Sequence, residues 1–260
     1  MSGEVRIEKD GALGWLVIDH ERRRNAMTGA MWQAIPGACR TLEDDPEVRV
    51  IVLRGAGQTA FVSGADISEF ERLRTGEAAR QYDEDNARAF AALGALDKPL
   101  LAMIHGFCVG GGCALALHAD LRFCDEAGVF AIPAARLGLG YSAEGIATLV
   151  ATVGLPAAKE LFFTARRFPA PEALRLGLVS EIVPAAQLEA RVREVAGEIA
   201  ANAPLTLRSA KRIMRELGRA ERARDPAAIS DSIAACYGSA DYAEGVAAFL
   251  AKRPPRFAGR

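Results

Sequence analysis

Two short runs in this 260-residue chain set glycine where backbone N–H groups can do chemistry: Ser63-Gly64-Ala65-Asp66 and Gly110-Gly111-Gly112. Each follows an apolar run that reads as a buried strand and precedes a helical pattern. Three adjacent glycines are costly to order, so they mark a place where backbone comes very close to something else. N–H groups at a helix start have no intrahelical partner and carry the positive end of the helix dipole. Two such turns converging could clamp one carbonyl oxygen as it becomes negative, which is the requirement of an oxyanion hole. Tight packing of a helix against its neighbour explains the same glycines, and both explanations stay open at this point. Neither run matches a Walker phosphate loop or GxGxxG, so a nucleotide site is not indicated.

The elements that must position these turns follow from periodicity. Val5–Lys9 alternates, Asp10-Gly11 is a turn signal and Leu13–Ile18 is apolar, which together read as a hairpin. Gly29–Leu42 has helical spacing, Val48–Leu53 is a buried strand, a helical region is expected after Ile67, and Gly76–Leu96 reads as a longer charged helix. Leu100–Ile104, Leu121–Cys124, Val129–Ile132 and Val179–Val183 read as strands, and Glu144–Val153, Pro156–Thr164 and Pro171–Leu176 as helices. From Pro184 onward the pattern is helical, with breaks near Pro204, Gly218, Pro226 and Gly238. Strands alternating with helices, followed by an all-helical tail, give an α/β class.

Composition narrows the function. Net charge is −1, which gives no electrostatic attraction to nucleic acid or a membrane surface. Five cysteines without CxxC spacing argue against a disulfide framework or a zinc site, and they read as small core residues in a reducing, cytoplasmic compartment. The charged N-terminus does not read as a signal peptide, and no apolar run is expected to reach the roughly 18 residues of a membrane span. No metal and no separate cofactor are expected.

Taken in order, the motifs resemble the crotonase (enoyl-CoA hydratase/isomerase) superfamily. The matching pieces are Arg24-Asn25-Ala26-Met27, Phe61-Val62-Ser63-Gly64-Ala65-Asp66-Ile67, Gly106 through Asp120, Phe130-x-x-Pro133, Leu137-Gly138-Leu139, Ala173-x-x-Leu176-Gly177-Leu178-Val179 and Phe249 through Pro254. The resemblance implies a spiral of ββα units in residues 1–200 and a C-terminal helical oligomerisation and lid region in 201–260. It further implies a homotrimer or a hexamer built from two trimers, and an acyl-CoA thioester as substrate. By the same resemblance, the N–H groups of Ala65 and Gly111 would bind the thioester oxygen and stabilise an enolate. Arg24, Ala26, Asp66, Ile67, Gly110 and Ala134 would line the coenzyme A and acyl site, and Phe249 and Lys252 would close over it, commonly from a neighbouring subunit.

At two places the chain departs from that pattern. Hydratases of the superfamily carry two glutamates for acid–base work, and the corresponding positions here are Ala114 and Ala134, whose methyl groups cannot transfer a proton. Tyr141 stands where methylmalonyl-CoA decarboxylases of the superfamily carry an active-site tyrosine, and Glu144 follows three residues later. A phenol can protonate an enolate, and a carboxylate in an apolar pocket can take a raised pKa suited to proton transfer. The match to the decarboxylases is partial, since they have a histidine at the Ala65 position and keep a glutamate at the Ala114 position. Alternatively, Ser142 is an N-cap that puts Glu144 in a first helical turn, and Tyr141 walls the pocket. The expected function is an acyl-CoA enzyme of hydratase or isomerase type with an altered acid–base group. The alternatives are decarboxylation of a malonyl-type thioester through Tyr141, and acyl-CoA binding without catalysis. His105 and His118 lie in apolar runs and read as core residues, and His20 as a loop residue.

Overall fold

The computed structural model describes residues 3–69, 76–219 and 223–260. Its hairpin, β1 (Glu4–Asp10) and β2 (Leu13–Asp19), turns at Gly11 in the left-handed region, as Asp10-Gly11 leads one to expect. Helix α1 (Gly29–Asp44) follows, capped by the Thr28 hydroxyl, which accepts from the N–H of Met31 at 3.3 Å.

The chain then repeats one unit three times. A strand joins a large sheet, the next strand joins a small sheet, and a helix returns. The first unit is β3 (Val50–Gly55), β4 (Ala60–Val62) and α2 (Gly76–Ala95). The second is β5 (Leu100–Ile104), β6 (Phe107–Val109) and α3 (Gly111–Leu117). The third is β7 (Leu121–Asp125), β8 (Val129–Ala131) and α4 (Ala143–Thr164). After these come β9 (Phe168–Pro169), α5 (Ala170–Arg175), β10 (Glu181–Val183) and the helices α6 (Leu188–Ala200), α7 (Pro204–Leu217), α8 (Pro226–Tyr237) and α9 (Ala240–Leu250). The large sheet runs β1-β2-β3-β5-β7-β10 and the small one β4-β6-β8-β9.

Both faces of the large sheet are covered, which is why its central strands are apolar throughout rather than alternating. Leu16, Ile18, Ile51 and Leu53 face the core shared with α1, while Trp15, Val17, Val52 and Met103 face Leu188, Val192 and Ala196 of α6.

Three expectations need adjustment. The strand 100–104 does not run straight into the triple glycine; the chain turns at Gly106 and adds the separate strand β6 in the other sheet. A β-carbon at Gly106 would stand 2.2 Å from the Thr59 carbonyl oxygen, so only glycine lets the two chains cross there. The two helices expected at 144–153 and 156–164 are present, end to end within α4, and their combined length and mean hydropathy of 1.5 match a membrane span, contrary to expectation. Gly154 (φ 76°, ψ 161°) breaks it into 143–153 and 155–164, each too short to cross a bilayer. The helical region expected directly after Ile67 is a 3-10 turn over Ile67–Glu69; its continuation at 70–75 lies outside the described residues.

Candidate active site

Strands β4, β6 and β8 lie side by side and parallel, with Val62 opposite Cys108 and Val109 opposite Ala131. Parallel strands deliver their connections at one edge, and that edge is where α/β sheets present ligand sites. Three segments leave there together: Ser63–Asp66 after β4, Gly110–Gly112 after β6, and the 3-10 turn Pro133–Arg136 after β8.

The glycines at this edge serve two different purposes. Gly64 (φ 114°) and Gly110 (φ 53°) take conformations that side chains disfavour, and a β-carbon on Gly110 would stand 3.9 Å from the Gly64 Cα. The two turns therefore touch. Gly112 is required by packing, because a β-carbon there would stand 2.2 Å from the Val62 carbonyl oxygen. Close packing and an N–H donor site, the two explanations of the triple glycine, thus apply to different residues of it.

A short parallel bridge fixes the first turn. The Met27 N–H donates to the Gly64 carbonyl and the Asp66 N–H donates to the Met27 carbonyl, both at 2.8 Å. The bridge consumes groups on either side of Ala65 and turns its own N–H the opposite way. Gly111 is the first residue of α3, where an N–H has no helical acceptor. Among the described residues, no hydrogen bond takes the N–H of Ala65 or of Gly111. Two unpaired donors at adjacent strand ends, one of them at a helix start, suit an oxygen that gains negative charge.

The Enoyl-CoA hydratase/isomerase family profile matches residues 9–260. The short-chain-enoyl-CoA hydratase of Clostridium acetobutylicum is 32% identical over 249 residues, covering 96% of this chain and 95% of that protein. A peroxisomal Delta(3,5)-Delta(2,4)-dienoyl-CoA isomerase of Arabidopsis thaliana is 33% identical over 269 residues, covering 98% and 95%. The crystal structure of an enoyl-CoA hydratase/carnithine racemase from Magnetospirillum magneticum superposes with a TM-score of 0.94 at 34% identity, covering 98% of this chain and 96% of that one. The chain belongs to the enoyl-CoA hydratase/isomerase family. The ββα spiral is the crotonase fold of that family, and the protein is an acyl-CoA enzyme of hydratase or isomerase type.

Around this family edge the structure gathers most of the residues expected there. The loop of Arg24 packs onto the first turn: the Ser63 N–H donates to the Arg24 carbonyl at 3.1 Å and the Ser63 hydroxyl to the Arg23 carbonyl at 3.3 Å. Arg24 (φ 52°) and Asn25 (φ 56°) are consecutive left-handed residues, a strain of about 1–3 kcal/mol each for non-glycine backbone. The buried Asn25 amide holds them there. Its oxygen accepts from the His20 N–H at 3.0 Å, and its nitrogen donates to the Ala56 and Ala60 carbonyls at 2.9 and 2.8 Å. Arg24 itself is exposed, with its guanidinium 5.0 Å from the centre of the Phe107 ring. Ala26 is buried beside it, leading into the Met27 bridge.

Asp66 is a turn cap: its carboxylate accepts from the Ser68 N–H at 2.9 Å and the Ser68 hydroxyl at 2.7 Å, with Arg23 at 3.8 Å. Burial pushes its pKa up, but the Ser68 bonds and the positive charge of Arg23 outweigh that and hold it below the usual carboxylate value. Ile67 next to it is 74% exposed.

Ala114, one turn into α3, and Ala134, in the turn after β8, are both buried. Tyr141 is partly buried, its ring edge-on to Phe162 at 5.2 Å. Burial, with a smaller contribution from Cys113, pushes its phenol up to about 12. Ser142 caps α4, accepting from the Gly145 N–H at 3.0 Å, and Glu144 lies exposed in the first turn rather than in an apolar pocket, because the cap turns its side chain to solvent.

Phe249 and Lys252 are not brought to this edge within the chain. Phe249 (84% exposed) lines an apolar cleft of about 630 Å³ between α7, α8 and α9, with Ile213, Ile233, Tyr237 and Val246. Lys252 follows α9 in a left-handed conformation (φ 52°).

Two contributors escaped the sequence reading. Asn25 was visible in Arg-Asn-Ala-Met, but nothing local shows that its amide ties 20, 56 and 60 together. Trp32 of α1 lies under the second turn, its Cζ2 3.1 Å from where a Gly111 β-carbon would stand, and no sequence signal places it there.

Proposed function

We propose that the protein binds an acyl-CoA thioester with its carbonyl oxygen between the N–H groups of Ala65 and Gly111, and stabilises the enolate formed there. The observation that carries this reading is the pair of unpaired donors at the adjoining ends of β4 and β6. Gly110, whose left-handed turn aims the second donor, belongs to the same hole. Arg24, Ala26, Asp66 and Ile67 shape the coenzyme A side of the site, and Ala134 the acyl side.

The acid–base group is altered relative to hydratases that use glutamates where Ala114 and Ala134 stand. Tyr141 takes the part of the acid: a phenol at about 12 keeps its proton at neutral pH and can deliver it to an enolate. Glu144, three residues on, is the carboxylate that serves as base. Hydration of a short 2-enoyl-CoA, or migration of its double bond, uses both groups.

Decarboxylation of a malonyl-type thioester is the second reading, favoured by the protonated phenol, since loss of carbon dioxide needs the hole and an acid but no base. Glu144→Gln separates the two. It abolishes hydratase or isomerase turnover with acyl-CoA affinity retained, whereas a decarboxylase keeps its rate. Acyl-CoA binding with no turnover on enoyl-, dienoyl- and malonyl-type thioesters would instead mean a binding protein.

The active assembly in this proposal is a homotrimer or a pair of trimers. Phe249, Leu250, Tyr237 and Tyr242 are each at least half exposed on one chain and line one apolar cleft, a contiguous patch of the kind that marks an interaction surface. A neighbouring subunit would cover them, and Phe249 and Lys252 would reach that neighbour's coenzyme A.

A further inference from the structure

Tyr141 stands in a loop that does little to hold it. Gly138 and Gly140 precede it, and a β-carbon added at either would meet no atom within 4 Å. A loop so open and so rich in glycine does not by itself keep an aromatic ring in one orientation. Two contacts supply what the loop lacks. The ring lies against the backbone of Gly145, where a β-carbon would stand 2.8 Å from Tyr141 Cε1, so glycine leaves it room. The second contact is Phe162, an edge-to-face pair with ring centres 5.2 Å apart and planes at 83°.

Sequence separation makes Phe162 an unexpected neighbour. An unbroken helix would carry residue 162 about 30 Å from residue 141. Gly154 prevents this: at φ 76° and ψ 161° it occupies a backbone region open to glycine almost alone, and the second half of α4 turns back there toward the start of the first. Ala158 and Leu161 of the returning half are 4% and 1% exposed in the core, so Phe162 stands on a fixed base. Helix α4 packs on both α3 and the Pro133–Arg136 turn, and the phenol lies near enough to Cys113 of α3 for that thiol to act on it. The clamp on the ring is therefore built beside the turn that carries Gly111.

We infer that Phe162 is a positioning residue of the site: through its edge contact it fixes the Tyr141 ring, and with it the phenol, relative to the Ala65 and Gly111 donors. Phe162 transfers no proton and acts only through the ring it holds. The inference rests on the proposed role of Tyr141 as the acid, and it adds what aims that acid. It also gives the Gly154 break a purpose, since only a reversed α4 brings the two rings together.

A double-mutant cycle of Phe162→Leu and Tyr141→Phe tests it. Turnover is measured on whichever enoyl-, dienoyl- or malonyl-type thioester the wild type converts fastest, beside equilibrium binding of a saturated acyl-CoA. Phe162→Leu is expected to lower kcat about ten-fold, with saturated acyl-CoA bound as before, and to lower it no further in the Tyr141→Phe background. A merely structural role would lower kcat alike in both backgrounds. That result, or full kcat in Phe162→Leu, overturns the assignment of Phe162. Full kcat in Tyr141→Phe, or no wild-type turnover on any of the thioesters, overturns the acid role of Tyr141 and this inference with it. If Phe162→Leu melts below the assay temperature, Phe162→Met, which keeps the volume without a ring, gives the same reading.

Discussion

Tyr141 is the residue whose surroundings most constrain the chemistry. Its phenol is pushed up to about 12 chiefly by burial, so it is an acid and not a base at any pH where the fold is in ordinary use. Tyr141→Phe is expected to lower turnover by about 10²-fold while saturated acyl-CoA binds unchanged, as measured by steady-state kinetics beside equilibrium binding. The wild-type rate is expected to show no alkaline limb from this group at pH about 10, where an unperturbed tyrosine would titrate. Trp32 and Asn25 act at the same scale by placement rather than chemistry, and their roles depend on partners far away in sequence. That is why motif spacing revealed the turns they support but not the supports.

At the scale of elements, the site follows from one repeated habit of the chain, a strand for each sheet and then a helix. Three parallel strands of the small sheet end at one edge and present three loops to one ligand. Much of this was legible: the hairpin, the long helices, the central apolar strands and both glycine turns follow from periodicity and turn chemistry. The three-residue strands β4 and β6 were not, because a run that short carries no period and is defined by its partner. The same geometry makes Gly112 intolerant: Gly112→Ala is expected to cost about 1–3 kcal/mol, read as a lowered denaturation midpoint, because the new methyl meets the Val62 carbonyl. Gly145→Ala, whose β-carbon would stand 2.8 Å from the Tyr141 ring, is expected to shift that ring and lower turnover with little change in stability.

At the scale of the whole molecule, α7 is held to the core through Asp97, which lies between Arg212 and Arg215. Burial raises the Asp97 pKa, but the two guanidinium groups more than reverse this and hold it below its usual value. A depressed carboxyl contributes stability above its unfolded pKa of about 3.9 and loses it as the pH falls through the folded value. Asp97→Asn is therefore expected to lower the melting temperature at neutral pH, by a margin that shrinks as the pH drops below about 4. The exposed apolar residues of α8 and α9 lead to an expectation about assembly: the mass in sedimentation is that of three or six chains, and Phe249→Asp lowers both that mass and acyl-CoA affinity. The sequence pointed to Phe249 only through family resemblance, because no single chain brings it near Ala65.

The central claim is that the Ala65 and Gly111 N–H groups polarise a thioester carbonyl. Infrared difference spectroscopy of a bound, carbonyl-13C-labelled saturated acyl-CoA reads this directly and does not depend on which reaction follows. Ala65→Pro removes one donor without adding a β-carbon and without touching the two bridge bonds of Met27. The account predicts a carbonyl stretch displaced to lower frequency in the wild type, and largely restored to its solution value in a folded Ala65→Pro variant that still binds the ligand. A bound thioester whose stretch is unshifted in the wild type, or equally shifted in the variant, would contradict it.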